Sequence, residues 1–139
     1  MSELGDKSII NLIAAQLLID HKLHSSSVHC SYYSCLQKMH DVLIENVGYS
    51  DTSLYAESSR NKVGSHEYIY GKVYENMVAR RANNSEIQAF SRFFGDIKRH
   101  RVNADYTNNV IEDTKSNGAL VLAKKINATL AKIFEGDKK

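Results

Sequence analysis

A chain of 139 residues has room for one domain with one core and too little for two comfortable ones. Its hydrophobic share of 42% and charged share of 24% argue against a disordered or membrane class. A formal net charge of +2 argues against bulk affinity for nucleic acid, so any such affinity must rest on local clustering. With no proline and seven glycines, helices can run long without a breaker. No stretch approaches the roughly 18 consecutive apolar residues of a spanning helix. Met1-Ser2-Glu3-Leu4-Gly5-Asp6 lacks the basic and apolar regions of a signal peptide, so a cytoplasmic location without membrane association is the expectation. Cys30 and Cys35 suit neither a bridge nor a zinc pattern and are read as reduced.

A first helix is predicted over 7–22, with Ile9, Ile10, Ile13, Ala14, Leu17 and Leu18 as its apolar face. Ser25-Ser26-Ser27 offer caps for a second helix over 27–46. Its face is Val28, Tyr32, Cys35, Leu36, Met39, Val42 and Leu43, and Gly48 is its stop. The short linker sets these two helices antiparallel. Residues 49–64 show no strong period and read as a long loop, with at most a helical turn around Leu54. Ser65 is placed to cap a third helix over 66–80, buried through Tyr70, Val73, Tyr74, Met77 and Val78. Asn83 and Glu86, at capping-box spacing, open a fourth helix over 85–106 with Ile87, Phe90, Phe94, Ile97, Arg101 and Ala104 on one stripe. A last helix starts between 112 and 116 and buries Ala119, Leu122, Ala123, Ile126, Leu130, Ile133 and Phe134. These elements define an all-α fold: one up-and-down bundle of four to five helices spanning residues 1–139.

Lys98, Arg99, His100 and Arg101 concentrate positive charge on one turn. They read either as an RNA- or phosphate-contacting patch or, more simply, as cations offsetting a helix carboxyl end. Arg101 lies on the apolar stripe and needs a partner, because burying it unpaired costs several kcal/mol. Asp105, four residues on, is that partner by spacing. Arg101, Asp105 and Tyr106 are therefore either a candidate catalytic or binding constellation or a packing ion pair. A weaker alternative is Arg60 with His66: a neutral His can take a ribose 2′-hydroxyl proton while an Arg stabilises phosphate charge. Neither a metal site nor a cofactor motif is expected.

Ala14-Ala15-Gln16-Leu17-Leu18, Ser31-Tyr32-Tyr33-Ser34, Ser65-His66 and Arg101-Val102-Asn103-Ala104-Asp105-Tyr106 follow one another in an order and at distances that resemble the HEPN superfamily of small helical domains. The branch with a tyrosine pair and an R-x-x-A-D-Y element is the most similar, and the resemblance covers about residues 10–135. It implies a bundle of four or five helices, a homodimer, and a nucleic-acid or nucleotide-associated role. Many members look like metal-independent ribonucleases of toxin–antitoxin or defence systems; others are non-catalytic partners of a small nucleotidyltransferase. In catalytic members an Arg and a His lie about four to six residues apart on a late helix. Here Ala104 stands five residues after Arg99 and Asp105 four after Arg101, so the linear motif lacks its histidine.

Overall fold

The computed structural model describes residues 2–60 and 64–136, which form six α-helices and no strand. They are α1 (Glu3–Asp20), α2 (His24–Val42), α3 (Asp51–Arg60), α4 (Ser65–Ala79), α5 (Asn84–Tyr106) and α6 (Asp113–Glu135), with one π-helical turn (Leu43–Val47) after α2. Among the described residues no helix is long and apolar enough to cross a membrane.

Small and hydroxylated side chains join α1 to α2. Gly5, Ser8 and Ala15 are buried on α1, facing Ser27 and Ser34 of α2. With so little between the backbones, hydroxyls reach the opposite helix's carbonyls: Ser8 Oγ donates to Ser34 O at 2.7 Å, Ser34 Oγ to Ser8 O at 2.8 Å and Ser27 Oγ to Ala15 O at 2.8 Å. These bonds satisfy buried polar groups and set the two helices antiparallel, as the short linker requires. They also reverse the expected orientation of α1. Ile9, Ile10, Ile13 and Leu17 point outward and are between 47% and 62% exposed. The hydrophobic pattern misassigns this face because close approach, which selects Gly, Ser and Ala, decides which side is buried. The expected serine caps are corrected too: α2 starts at His24 without a side-chain cap, and Ser27 is an inward bond donor.

Gly48 ends the π turn in the left-handed region at φ 105°, its N–H donating to Leu43 O at 3.0 Å. A β-carbon is disfavoured there, so glycine is the fitting stop. The segment expected to be a loop then forms α3. Leu54 and Ser58 are its buried residues, and Ser50 Oγ accepts the Ser53 N–H at 3.0 Å as a cap. So polar a helix gives little periodic signal.

This extra helix preserves the up-and-down order and corrects the helix count. Tyr32 meets His66 and Asn46 meets Arg80, so α2 and α4 run parallel, with α3 returning the chain between them. Tyr33 meets Arg101 and His29 meets Asp105, which sets α5 antiparallel to α2. Glu86 pairs with Lys132 and Phe93 with Lys125, which sets α6 antiparallel to α5.

The core is built on Tyr32, Met39, Leu43, Leu54, Val73, Met77, Phe90, Ile97, Ile126 and Leu130, all nearly or fully buried. The α5 stripe Ile87, Phe90, Phe94, Ile97 is buried as the spacing predicts. On α4 the buried set is Tyr68, Ile69, Val73 and Met77, so the face is rotated from the expected one and Tyr74 and Val78 lie outside. Tyr70 stacks on Phe94 and Phe90 at 4.6 and 5.5 Å between ring centres.

Asp41, 1% exposed, fastens the start of α1. It accepts from Ser2 Oγ at 2.5 Å and Ser2 N at 3.2 Å, and Lys38 Nζ lies 3.7 Å away, itself 2.9 Å from Glu135. Asp41→Ala leaves a nearly buried lysine with one partner and the Ser2 O–H and N–H donors without their acceptor. The expected cost is about 3 kcal/mol in urea unfolding; a change within 0.5 kcal/mol, the ordinary surface range, would contradict this account.

Candidate functional site

Where the amino end of α4 meets α2 and α5, His29, Tyr32, His66 and Arg101 pack around Tyr33, with Asp105 and Tyr106 joined through His29 and Arg101. The antiparallel pairing of α2 and α5 brings Tyr32 and Tyr33 level with Arg101, and the parallel pairing of α2 and α4 brings His66 to the same level.

Arg101 extends the buried α5 stripe one turn past Ile97. Its side chain is 14% exposed, and its guanidinium carbon lies 5.1 Å from the ring centre of Tyr32, 5.7 Å from Tyr33 and 5.3 Å from Tyr106. Three negative ring faces favour the cation. Nη2 donates to Tyr106 OH at 3.0 Å and, weakly, to Tyr33 OH at 3.4 Å. Asp105 Oδ2 lies 3.4 Å from Nε, but the approach is misaligned, and Nε is buried without a hydrogen-bond acceptor. The ion pair is loose because Asp105 Oδ2 is committed elsewhere: His29 Nδ1 lies 2.9 Å from it. A carboxylate only accepts, so His29 donates through Nδ1, and in the neutral ring Nε2 carries the lone pair. The His29 ring packs on Tyr33 at 4.6 Å.

His66 sits on the other side of Tyr33. Its ring centre is 5.6 Å from those of Tyr32 and Tyr33, and its Nδ1 is 2.9 Å from Tyr32 OH. Partial burial lowers the His66 pKa from its ordinary value, and the positive charges of Arg101 and Lys98 lower it further. Burial pushes the Tyr32 phenol up to about 12 against the opposing pull of Arg101, so it stays protonated at neutral pH. The arrangement offers one aromatic-caged cation for an anion, with a nitrogen base on either side.

The basic tract divides because successive helical residues diverge by about 100°. Lys98 ion-pairs with Glu67 at the edge of the site. Arg99 ion-pairs with Asp96, and with His100 it lines a separate shallow cavity of about 240 Å³ beside Lys115. Burial, followed by the charge of Lys115, lowers the His100 pKa. Arg101, Asp105 and Tyr106 are brought together; Arg99 and His100 are not brought to them. The expected partner of His66, Arg60, ends α3, and its side chain lies outside the described residues. His66 instead neighbours Arg101. His29 was not legible as a site residue, since its carboxylate is 76 residues away in sequence.

Among the described residues no group of three or more His, Cys, Asp or Glu side chains is arranged to hold a metal ion. In comparisons with known proteins, no family model, no curated protein and no solved structure matches the chain.

Proposed function

We propose that the protein is an RNA-associated, HEPN-like domain that cleaves RNA without a metal ion, in the setting of a toxin–antitoxin or defence system. The observation that carries this reading is a caged arginine and two histidines packed about the same ring, Tyr33, each histidine with its own polar partner. The reaction uses the His66 tautomer that donates Nδ1–H to the Tyr32 hydroxyl, 2.9 Å away, and takes the 2′-hydroxyl proton at Nε2. The 2′-oxygen attacks the adjacent phosphorus, and Arg101 stabilises the charge that builds on the phosphoryl oxygens. His29 in its protonated form, held by Asp105, gives a proton to the departing 5′-oxygen. The products are a 2′,3′-cyclic phosphate and a 5′-hydroxyl, so atoms and protons balance. Tyr106 orients Arg101, and Lys98 supplies positive potential at the rim. The test is cleavage of a labelled mixed RNA in EDTA by the wild type, Arg101→Ala, His66→Ala and His29→Ala. Cleavage by the wild type and loss in all three variants supports the reading; wild-type inactivity with EDTA and with added metal overturns it.

A second reading, a non-catalytic interaction module for a small nucleotidyltransferase, draws on a different feature. Ile9, Ile10, Ile13 and Leu17 form an exposed apolar stripe along α1, the kind of patch that marks a protein contact. We assign the stripe to a second copy of the chain. Two α1 helices crossing antiparallel about a two-fold axis oppose their dipoles and set Glu3, near one amino end, toward Lys22 of the other copy. Ile13→Glu is expected to convert a dimer into a monomer by light scattering at micromolar concentration, with unfolding stability held within about 0.5 kcal/mol. A monomeric wild type opens the stripe to the nucleotidyltransferase.

A further inference from the structure

A cavity of about 270 Å³ opens between α2, α3 and α4 and shares His66 with the Arg101 site. Leu36, Leu54 and Ile69 give it apolar walls. Its polar edge is His40, Asp51 and Ser58. His40 Nε2 lies 2.9 Å from Asp51 Oδ1, yet it is buried and without an aligned hydrogen bond, so this edge holds a polar group with bonding capacity to spare.

We propose that this cavity is a nucleobase subsite that receives a base bearing an exocyclic amino group. The inference rests on the proposed action of the adjoining site on a phosphodiester. Its size is just under the roughly 300 Å³ at which ligand pockets begin, which suits one planar ring system better than a larger ligand. Apolar walls take the faces of an unstacked base, as in other sites that read single-stranded RNA. A carboxylate beside a ring nitrogen at the edge accepts from an amino group and meets the carbonyl of uracil with repulsion. The shared histidine makes base and phosphate neighbours, as they are in a nucleotide. In this arrangement α3, the helix hardest to see in the sequence, supplies base recognition, while α2, α4 and α5 supply the phosphate chemistry.

The test is calorimetric titration of adenosine monophosphate, uridine monophosphate and ribose 5-phosphate into the wild type, Ser58→Leu and Asp51→Asn. Ser58→Leu fills the cavity; Asp51→Asn changes an exposed edge group and leaves the core alone. The wild type is expected to bind adenosine monophosphate at least tenfold more tightly than ribose 5-phosphate. That advantage disappears in Ser58→Leu, with ribose 5-phosphate binding unchanged, and the preference for adenosine over uridine narrows in Asp51→Asn. Adenosine monophosphate binding no tighter than ribose 5-phosphate, or an advantage that survives Ser58→Leu, overturns the subsite. Should Ser58→Leu fail to fold, an adenosine-over-uridine preference unchanged by Asp51→Asn overturns it alone. Loss of ribose 5-phosphate binding with nucleobase selectivity intact instead overturns the phosphate reading and leaves the subsite standing. An oligouridine with one adenosine, binding more tightly than adenosine monophosphate, identifies the source of the base as an RNA chain; equal affinity identifies a free nucleotide.

Discussion

Arg101→Ala is expected to lower kcat/KM for metal-free RNA cleavage by about 100- to 1000-fold, the range seen when a group that stabilises transition-state charge is removed. Among the described residues the guanidinium is the one cation packed against Tyr32, Tyr33 and Tyr106 together. Its Nε lies buried without an aligned acceptor, 3.4 Å from Asp105 Oδ2, so the ion pair leaves the guanidinium charge only loosely neutralised. Arg101→Lys keeps the charge but loses the planar fork and its ring stacking, and a partial defect is expected. Stability separates this role from a packing role. Asp105 keeps His29 as a partner in Arg101→Ala, so the variant is expected to lose only about 1–2 kcal/mol, chiefly its ring contacts. A loss of about 3–5 kcal/mol, as when a buried ion pair is broken, together with unaltered RNA binding would make Arg101 a packing residue.

How far this site can be read from the sequence depends on whether its partners are local. Arg101 and Asp105 share a helix turn, and their spacing of four announces them. The α5 stripe is equally legible, because large apolar residues at helical spacing face a large core. The pairing of His66 with Arg101 is not legible, since it depends on α4 running parallel to α2. That depends in turn on α3, whose inward residues Leu54 and Ser58 carry almost no periodic signal. The outward stripe of α1 misleads for a related reason. Hydrophobicity marks which residues avoid water but not which surface covers them, and here serine-lined backbone contact occupies the side facing α2.

The acid limb of cleavage is expected below the ordinary histidine value of about 6.5 and should move upward in Lys98→Gln. The base in this reaction must be neutral, so activity is lost as pH falls through the His66 pKa. Burial holds that pKa down, and Arg101 and Lys98 hold it further down. Removing the Lys98 charge relieves part of this, and Glu67, released from its ion pair, pushes in the same direction. The same shift predicts how stability responds to acid. The unfolded chain binds a proton at about pH 6.5 while the folded His66 resists it, so its contribution is complete above that pH and is lost as pH falls through the lower folded value. His100, also lowered, acts in the same direction. The urea midpoint is therefore expected to fall between pH 7.5 and pH 5.0, less steeply in His66→Asn or His100→Asn, and least steeply in the double variant. A limb unmoved in Lys98→Gln would assign the base to another group, with His29, across the Tyr33 ring, the first to examine. An acid response unchanged in His66→Asn would mean that the folded site accepts the proton as readily as the unfolded chain does, and a base poised by burial would no longer explain the chemistry.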